Sequence, residues 1–404
     1  MSSRALLKAI GDIDEKYLLE AEFEKYEVGK NISFKKVAVI LLIILLIASS
    51  VTFASVKIIE KISREARITP VFTSNLSTID ESTIWIGTFN LVWNDIMDNI
   101  VKGKIEFEDG PSNLADELNK RNFTKDELSE NSYLTIFGPG TNEFREEIKE
   151  KIKEKFNEES DVLDDLNLPE YEPSDPGDII YALLKKEFTF LKEFEILESS
   201  TFNGSENKVK YFGLNHDGFA VAGENIEVLF YNSKDDFAVK LKTKEKEEVI
   251  LYMGDYSEKS FEENYNILKE KEAAFVGDKN YNEEDILRVP FISLKEKINY
   301  DELCGRFIKG TNKYIKQAIQ SVDFQLNNVG GSVKSEAVVY LEYRSFINPK
   351  GREFIFDTPF LLYLKEEGKN KPYLALKVEN TDILVDDSEF DLNEMLKEKY
   401  NLNF

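Results

Sequence analysis

The chain contains one histidine, His216, and one cysteine, Cys304, and most nucleophilic and metal chemistry depends on these two residue types. A Ser-His-Asp triad would have to use His216, and no strand–turn–helix motif that would present a nucleophilic serine occurs. One cysteine permits neither an intrachain disulfide nor a cysteine-based zinc site, and one histidine excludes a multi-histidine site. The composition therefore predicts a protein that is not an enzyme, with no catalytic residue, metal or cofactor.

Acidic side chains dominate the composition, with 76 Asp and Glu against 52 Lys and Arg and a net charge of −24. Such a surface repels polyanions, so we expect no nucleic-acid partner. The cluster Asp386-Asp387-Ser388-Glu389 carries oxygen ligands, but it lacks the turn glycine and the spaced ligand set of a calcium-binding loop. Residues 382–404 are therefore predicted to form a solvated acidic tail.

Residues 37–56 form a run of twenty uncharged, mostly apolar residues. As a helix rising ~1.5 Å per residue, this run spans about 30 Å, the hydrocarbon thickness of a bilayer. A buried core helix is the alternative, but such helices rarely lack a polar face over this length. Basic residues flank both ends, so charge does not decide the orientation. From the short head and large acidic body we expect a single-pass protein of the cell membrane with an extracytoplasmic body.

The head, residues 1–36, repeats apolar residues at helical spacing from Leu6 to Ala21. This spacing predicts one amphipathic helix on the cytoplasmic side. Two interpretations stay open: a tail on the membrane surface, or a docking peptide for a cytoplasmic protein partner. The abundance of Lys, Asn, Ile and Glu is typical of a Gram-positive bacterium.

The body, residues 57–381, is predicted to be one α+β domain, helix-rich first and sheet-rich later. Helical spacing predicts helices over 83–100, 112–120, 143–156 and 261–271. The acidic stretch 158–178 is expected to be a surface loop. Residues 181–191 and 313–321 fit a helix or a strand equally well. Strands are predicted over 209–214, 226–231, 237–242, 248–252, 289–294 and 322–327, and a hairpin joins strands 354–364 and 373–378.

The end of the body carries two motifs, an F-x-x-D-x-P-F strand with its hairpin partner over 354–378 and a strand that ends in Gly330-Gly331, and together they resemble the serpin family of serine protease inhibitors. Residues 354–364 carry a similar F-x-x-D-x-P-F strand, followed by a turn and a second buried strand at 373–378. Upstream, residues 322–331 resemble the strand and hinge that precede the serpin reactive loop. Weaker similarities lie at 185–195, 200–204 and 235–253. The resemblance covers about residues 180–380 and implies several β-sheets surrounded by helices, here preceded by one transmembrane helix.

An inhibitory serpin inserts its cleaved loop as a new central strand, so every second hinge side chain must enter the core. If Gly330 takes the hinge glycine, the resemblance implies an inward set of Gly331, Val333, Ser335 and Ala337. The outward set is then Ser332, Lys334 and Glu336. A register shifted by one residue would bury two charges without partners, at a cost of several kcal/mol.

Counting forward as in the family places the bait peptide bond at Arg344-Ser345. An arginine there suits a trypsin-like serine protease with an acidic specificity pocket. Two features differ from inhibitory members: Asn328 replaces the usual hinge glutamate, and residues 338–341 are bulky. The sequence thus leaves two hypotheses: a membrane-anchored protease inhibitor, or a non-inhibitory sensor or interaction module that signals through its cytoplasmic head.

Overall fold

The computed structural model describes residues 66–76, 81–168, 177–215, 222–256, 259–332 and 351–387. The chain divides into two compact units between Ser63 and Arg64, and the described residues all belong to the second unit. No helix within these ranges is long and apolar enough to cross a membrane. The predicted head (1–36), transmembrane helix (37–56) and most of the acidic tail (388–404) lie outside the described residues.

The described residues form seventeen strands and four α-helices, with a few short helical turns. The strands are β1 Arg67–Thr69, β2 Thr83–Ile86, β3 Tyr133–Pro139, β4 Asp178–Leu184, β5 Glu187–Thr189, β6 Glu195–Thr201, β7 Lys208–Leu214, β8 Ile226–Ser233, β9 Asp236–Lys242, β10 Glu247–Met253, β11 Ile286–Pro290, β12 Ile292–Asn299, β13 Ile319–Leu326, β14 Gly330–Ser332, β15 Glu353–Ile355, β16 Phe360–Glu366 and β17 Leu374–Val378. The helices are α1 Thr88–Ile96, extended by a π-helical turn over Met97–Val101, α2 Asn113–Leu118, α3 Asn142–Phe156 and α4 Phe261–Ala274.

A seven-stranded sheet in the order β1-β2-β17-β16-β10-β9-β8 forms the centre of the core. Every residue of β16 and β17 is buried, which explains their nearly continuous apolar sequences, since both faces of a central strand are covered. These two strands pair antiparallel from Phe360 opposite Val378 to Leu364 opposite Leu374. The predicted hairpin is therefore confirmed.

Three smaller sheets surround this core, in the orders β15-β11-β7-β6, β12-β13-β14-β5 and β3-β4. Helix α1 packs against β4. On the other face of β4, the buried Ile148 and Ile152 of α3 pack against Ile179 and Tyr181. The mixed α+β architecture with several sheets agrees with the sequence prediction.

Three predicted elements are wrong in their bounds. The strand predicted over 289–294 is two strands of different sheets, because β11 ends at Pro290 and β12 begins at Ile292. The helix predicted over 83–100 begins as strand β2, because its β-branched and aromatic residues pair with β17 in the central sheet. The strand predicted over 354–364 is two strands in different sheets, β15 beside β11 and β16 beside β10. Pro359 lies between them, and a proline cannot donate the backbone hydrogen bond that an uninterrupted ladder would need.

Candidate functional site

Strand β14 lies between β13 and β5 and runs antiparallel to both. The Asn327 side chain closes the preceding turn, because its Oδ1 accepts from the backbone N–H groups of Val329 at 2.9 Å and Gly330 at 3.2 Å. Leu326 pairs with Gly331 on one side, and Phe188 pairs with Gly331 on the other. The chain therefore turns back after β13 and starts a strand in the middle of a sheet.

Both hinge positions, Gly330 and Gly331, are places where the neighbouring strand approaches too closely for any side chain. A Cβ on Gly330 would lie 2.1 Å from the backbone oxygen of Phe188. A Cβ on Gly331 would lie 2.4 Å from the Phe188 ring and 2.9 Å from the Gln325 oxygen. Since Cβ atoms essentially never come this close to other atoms, glycine at both positions lets β14 sit between its neighbours.

A cleft of about 100 Å³ continues from β14 between β4 and β13. No backbone pairing joins these two strands in the part of the chain that the structure describes. Residues 181–185 form one wall and residues 319–323 form the other, while Phe89 and Val92 of α1 form part of the floor. Burial raises the pKa of Tyr181, on the first wall, to about 12. The cleft therefore lies where one further strand would fit between β4 and β13.

The segment 157–168, here called the strap, contacts both sides of the cleft. On the β4 side, Glu158 lies 2.9 Å from the Lys185 ammonium. On the far side, Asp165 lies 2.5 Å from the Lys297 ammonium, and the Asn167 backbone N–H donates to Gln317 Oε1 at 2.6 Å. Burial lowers the pKa of Lys185, but hydrogen bonds to Glu158 and Glu187 outweigh burial and raise it overall. The strap thus links the two sides of the cleft through polar contacts.

Gly351 and Arg352 follow segment 333–350 and lead into β15, which belongs to another sheet. The Arg352 guanidinium lies 2.7 Å from Asp285 Oδ2 and donates to the Asp278 backbone oxygen at 2.6 Å. Asp285 is 3% exposed, so this ion pair is shielded from water. The two ends of segment 333–350 are consequently held by two separate sheets.

The sequence-predicted site residues are only partly within the described chain. Gly330 and Gly331 form β14, and the Gly331 position faces the buried Leu326 and Phe188. Val333, Ser335 and Ala337, together with the bait residues Arg344 and Ser345, lie outside the described residues. Sequence reasoning missed the strap contacts and the Arg352–Asp285 pair, because a charged residue in a surface-like segment carries no sign of its partner.

No family model matches the chain, and no curated protein matches it. Solved structures that it resembles include Serpin48 from the insect Tenebrio molitor, at 12% identity and a TM-score of 0.41 over 74% of this chain and 92% of that chain. Human thyroxine-binding globulin with thyroxine gives 10% identity and a TM-score of 0.44 over 75% and 93%. A serpin from the trematode Schistosoma haematobium gives 12% identity and a TM-score of 0.43 over 74% and 94%.

Proposed function

We propose that this chain is a membrane-anchored, serpin-like inhibitor of a trypsin-like serine protease, with segment 333–350 as its bait loop. Cleavage of the loop would free its N-terminal half to extend β14 into the cleft between β4 and β13. The observation that carries the proposal is the position of β14, which starts a central strand and points toward a cleft that no strand of the described residues fills.

The register of β14 fixes where each following residue would lie if the strand continued. Position 333 would face Phe324 on β13, position 335 would face Val322, and position 337 would face Gln320. Those three β13 residues are buried. Residues paired across a sheet point to the same face, so Val333, Ser335 and Ala337 would enter the core.

The opposite face would receive the charged residues of the same segment. Lys334 would lie between Asp323 and Lys185, and Glu336 between Ser321 and Leu183. All four neighbours are only partly buried. Small or apolar side chains would therefore face inward and charged ones outward, as the strand insertion requires.

The trapping step follows from ordinary serine-protease chemistry. The protease serine oxygen attacks the Arg344 carbonyl carbon, the bond to the Ser345 nitrogen breaks, and the new amine leaves. The Arg344 acyl group stays on the protease until water hydrolyses it. Each backbone hydrogen bond formed by the inserting strand adds about 1 kcal/mol, so insertion would be downhill and would drag the acyl-enzyme away from its productive geometry.

The proposed membrane anchor would hold the inhibitor at the cell surface. Residues 37–56 are long and apolar enough to span a bilayer, and the acidic body would stand on the extracytoplasmic side. Residues 1–36 would then face the cytoplasm, where an amphipathic helix could bind a protein partner. In this arrangement the inhibitor acts on proteases that approach the cell surface.

A non-inhibitory sensor or interaction module is the second candidate, and the bulky segment 338–341 favours it. In the β14 register, Val339 would have to pack between Ala318 and Ile180, beyond the residues that line the cleft. If the strand stopped there, the loop would be cleaved without trapping the protease. The extracytoplasmic body would then bind a partner protein without inhibiting a protease, and the cytoplasmic head, residues 1–36, would pass the signal on.

The test uses the full-length chain in detergent micelles, mixed with trypsin. We expect a complex that survives SDS and links the protease to the fragment ending at Arg344. We also expect the cleaved chain to unfold at a higher temperature than the intact chain, because a strand has been added to the sheet. The matched control is Arg344→Ala, which removes the preferred bond while leaving the described body unchanged.

Cleavage within 333–350 that yields neither a covalent complex nor a higher unfolding temperature would contradict the inhibitor proposal. That outcome would favour the sensor.

A further inference from the structure

Residues 305–316, here called the aromatic hairpin, form a short antiparallel pair of arms between β12 and β13. The Ile308 backbone N–H donates to the Lys313 oxygen at 2.9 Å. The Ile315 backbone N–H donates to the Arg306 oxygen at 3.2 Å. Because both arms are extended, successive side chains point to opposite faces, and the aromatic hairpin has an inward and an outward face.

The inward face fastens the aromatic hairpin to the body. Ile308 is 3% exposed and belongs to the same apolar cluster as Phe107, with which it forms an antiparallel bridge. The Arg306 guanidinium lies 4.2 Å from the centre of the Phe107 ring and 2.8 Å from Asp109 Oδ1. These contacts fix the direction in which the outward face points.

The outward face carries two aromatic rings and two lysines. Phe307 and Tyr314 are each 49% exposed, and their ring centres lie 5.3 Å apart. Lys309 and Lys316 follow these residues by two positions on the two arms and are also exposed, so they share the same face. Lys309 lies 3.0 Å from Glu106, but the two side chains are 65% and 63% exposed, and such pairs contribute little.

The aromatic hairpin also differs in charge from the rest of the chain. Residues 306–316 include four basic and no acidic side chains, whereas the whole chain has a net charge of −24. Lys316 donates to the backbone oxygen of Asn167, a neutral partner that leaves the positive charge in place. Exposed aromatic rings beside basic side chains fit a surface that is anionic outside and apolar beneath, which is the chemistry of a bilayer with anionic headgroups.

The course of the chain favours a bilayer over a soluble acidic partner. The Ala66 backbone N–H donates to Glu296 Oε1 at 3.4 Å. Glu296 lies on β12 only about 10 Å from Asn299, where β12 ends and the chain continues toward the aromatic hairpin, at ~3.4 Å per residue. The apolar run 37–56 ends ten residues before Ala66, and ten residues span at most about 35 Å. The proposed anchor therefore keeps the bilayer within reach of this end of β12.

We propose that the aromatic hairpin is a second membrane contact, in which Phe307 and Tyr314 enter the interface of the bilayer and the two lysines bind anionic lipid headgroups. Aromatic rings favour this level, because their apolar part meets the acyl chains while the Tyr314 hydroxyl stays hydrated. The contact would set the orientation of the body on the membrane. The inference rests on the membrane anchor of the proposed function, which brings the bilayer this close.

The test uses the full-length chain reconstituted in vesicles, with Tyr314→Trp as a fluorescent probe. The native Trp85 and Trp93 are each 1% exposed, so lipid quenchers should not reach them. In vesicles of phosphatidylcholine and phosphatidylglycerol with brominated acyl chains, we expect the probe emission to shift to shorter wavelength and to be quenched. Val276→Trp is the matched control, because Val276 follows α4, is 100% exposed and should stay unquenched. If Tyr314→Trp does not fold, Phe307→Trp reports on the same face.

Charge reversal tests the role of the lysines. A basic residue near an anionic surface strengthens binding about fivefold, so Lys309→Glu/Lys316→Glu should lower the ratio of docked to free hairpin by about 25-fold or more. Lys234→Glu/Lys269→Glu changes the net charge equally at exposed positions of the β8–β9 turn and α4, and it should dock like the wild-type chain.

Three outcomes would contradict the inference. A chain that does not float with the vesicles would overturn the proposed anchor and this inference together. A chain that floats with an unquenched probe, or with equal quenching in both charge-reversal variants, would overturn this inference alone. A shift of the emission in detergent micelles that grows with protein concentration would also overturn it, and would assign the outward face to a second copy of the chain.

Discussion

The Arg352 guanidinium and the Asp285 carboxylate form a shielded ion pair, with Nη2 2.7 Å from Oδ2, at the point where segment 333–350 joins β15. The Arg352 backbone N–H donates to Asp285 Oδ1 at 2.8 Å, so main chain and side chain are held by one carboxylate. The chain is therefore tied to a buried carboxylate at the C-terminal end of segment 333–350, and in the proposed mechanism cleavage would leave this end in place.

The first prediction concerns that pair. Arg352→Ala leaves the buried Asp285 charge without its main partner, and we expect the free energy of unfolding to fall by about 3–5 kcal/mol. Urea denaturation followed by tryptophan fluorescence measures the change. Lys149→Ala is the control, because its partner Asp164 is 72% exposed and such solvent-exposed pairs contribute little to stability. A loss in Arg352→Ala as small as the loss in the control would mean that Asp285 finds other partners.

The second prediction concerns the hinge glycines. In Gly330→Ala the new Cβ would meet the Phe188 backbone oxygen at 2.1 Å, so β14 must separate from β5. We expect faster amide hydrogen exchange in β14 and β5 and loss of the SDS-stable protease complex. Gly103→Ala is the matched control, because nothing lies within 4 Å of its Cβ position. Unchanged exchange in β14 would show that the strands can part without losing their hydrogen bonds.

The third prediction tests the alternation of side chains in the inserting strand. Ala337→Glu would place a charge opposite the buried Gln320, at a cost of several kcal/mol, so the variant should be cleaved as a substrate without trapping the protease. Glu336→Ala alters the outward neighbour and should still form the complex. The measurement is the ratio of complex to cleaved chain on SDS gels. The opposite pattern would place the register one residue later.

The fourth prediction concerns the strap. Asp165→Asn removes the contact with the Lys297 ammonium, which lies 2.5 Å away, and should make the strap easier to displace. Exposed pairs contribute up to about 1 kcal/mol, so we expect complex formation to be faster by no more than about fivefold. Glu106→Gln breaks a similarly exposed pair with Lys309 and serves as the control. An equal effect in the control would assign the change to overall charge.

The fifth prediction concerns the pH dependence of stability. Burial raises the pKa of Glu247 above its ordinary 4.5, despite the nearby Lys186. Between pH 4.5 and the raised folded-state pKa, Glu247 binds more protons in the folded chain than in the unfolded chain. The contribution of Glu247 to the free energy of unfolding therefore falls as the pH rises through this range. Subtracting the Glu247→Gln profile from the wild-type profile between pH 4 and about 7 should show this slope. A difference that rises with pH would mean that the ion pair with Lys186 dominates.

Glu366 should behave in the opposite way. Burial works to raise its pKa, but hydrogen bonds from Lys186 and Ser129 outweigh burial and hold the pKa below the ordinary 4.5. Its stabilising contribution is therefore present above pH 4.5 and is lost as the pH falls through the folded-state value. Glu366→Gln checks this, because the variant should lose the acid-side decline that the wild-type chain shows.

The local signals in the sequence were sufficient for elements whose structure is decided by nearby residues. Helix α3 begins where the Thr141 hydroxyl accepts from the Phe144 backbone N–H, and it buries Ile148 and Ile152 one turn apart. The hairpin of β16 and β17 follows from two apolar runs on either side of a turn. The direction of side chains around Gly330 and Gly331 also follows from alternation alone, once a register is chosen.

Other features depend on contacts between residues far apart in the chain. Strand β2 is a strand because β17, almost three hundred residues later, supplies its hydrogen bonds. Lys186 is buried because Glu247 and Glu366 approach it from another sheet, and a lysine in a polar stretch carries no local sign of this. The cleft between β4 and β13 is likewise a property of two sheets that do not pair within the described ranges, since strand pairing is a long-range interaction that periodicity within one segment cannot specify.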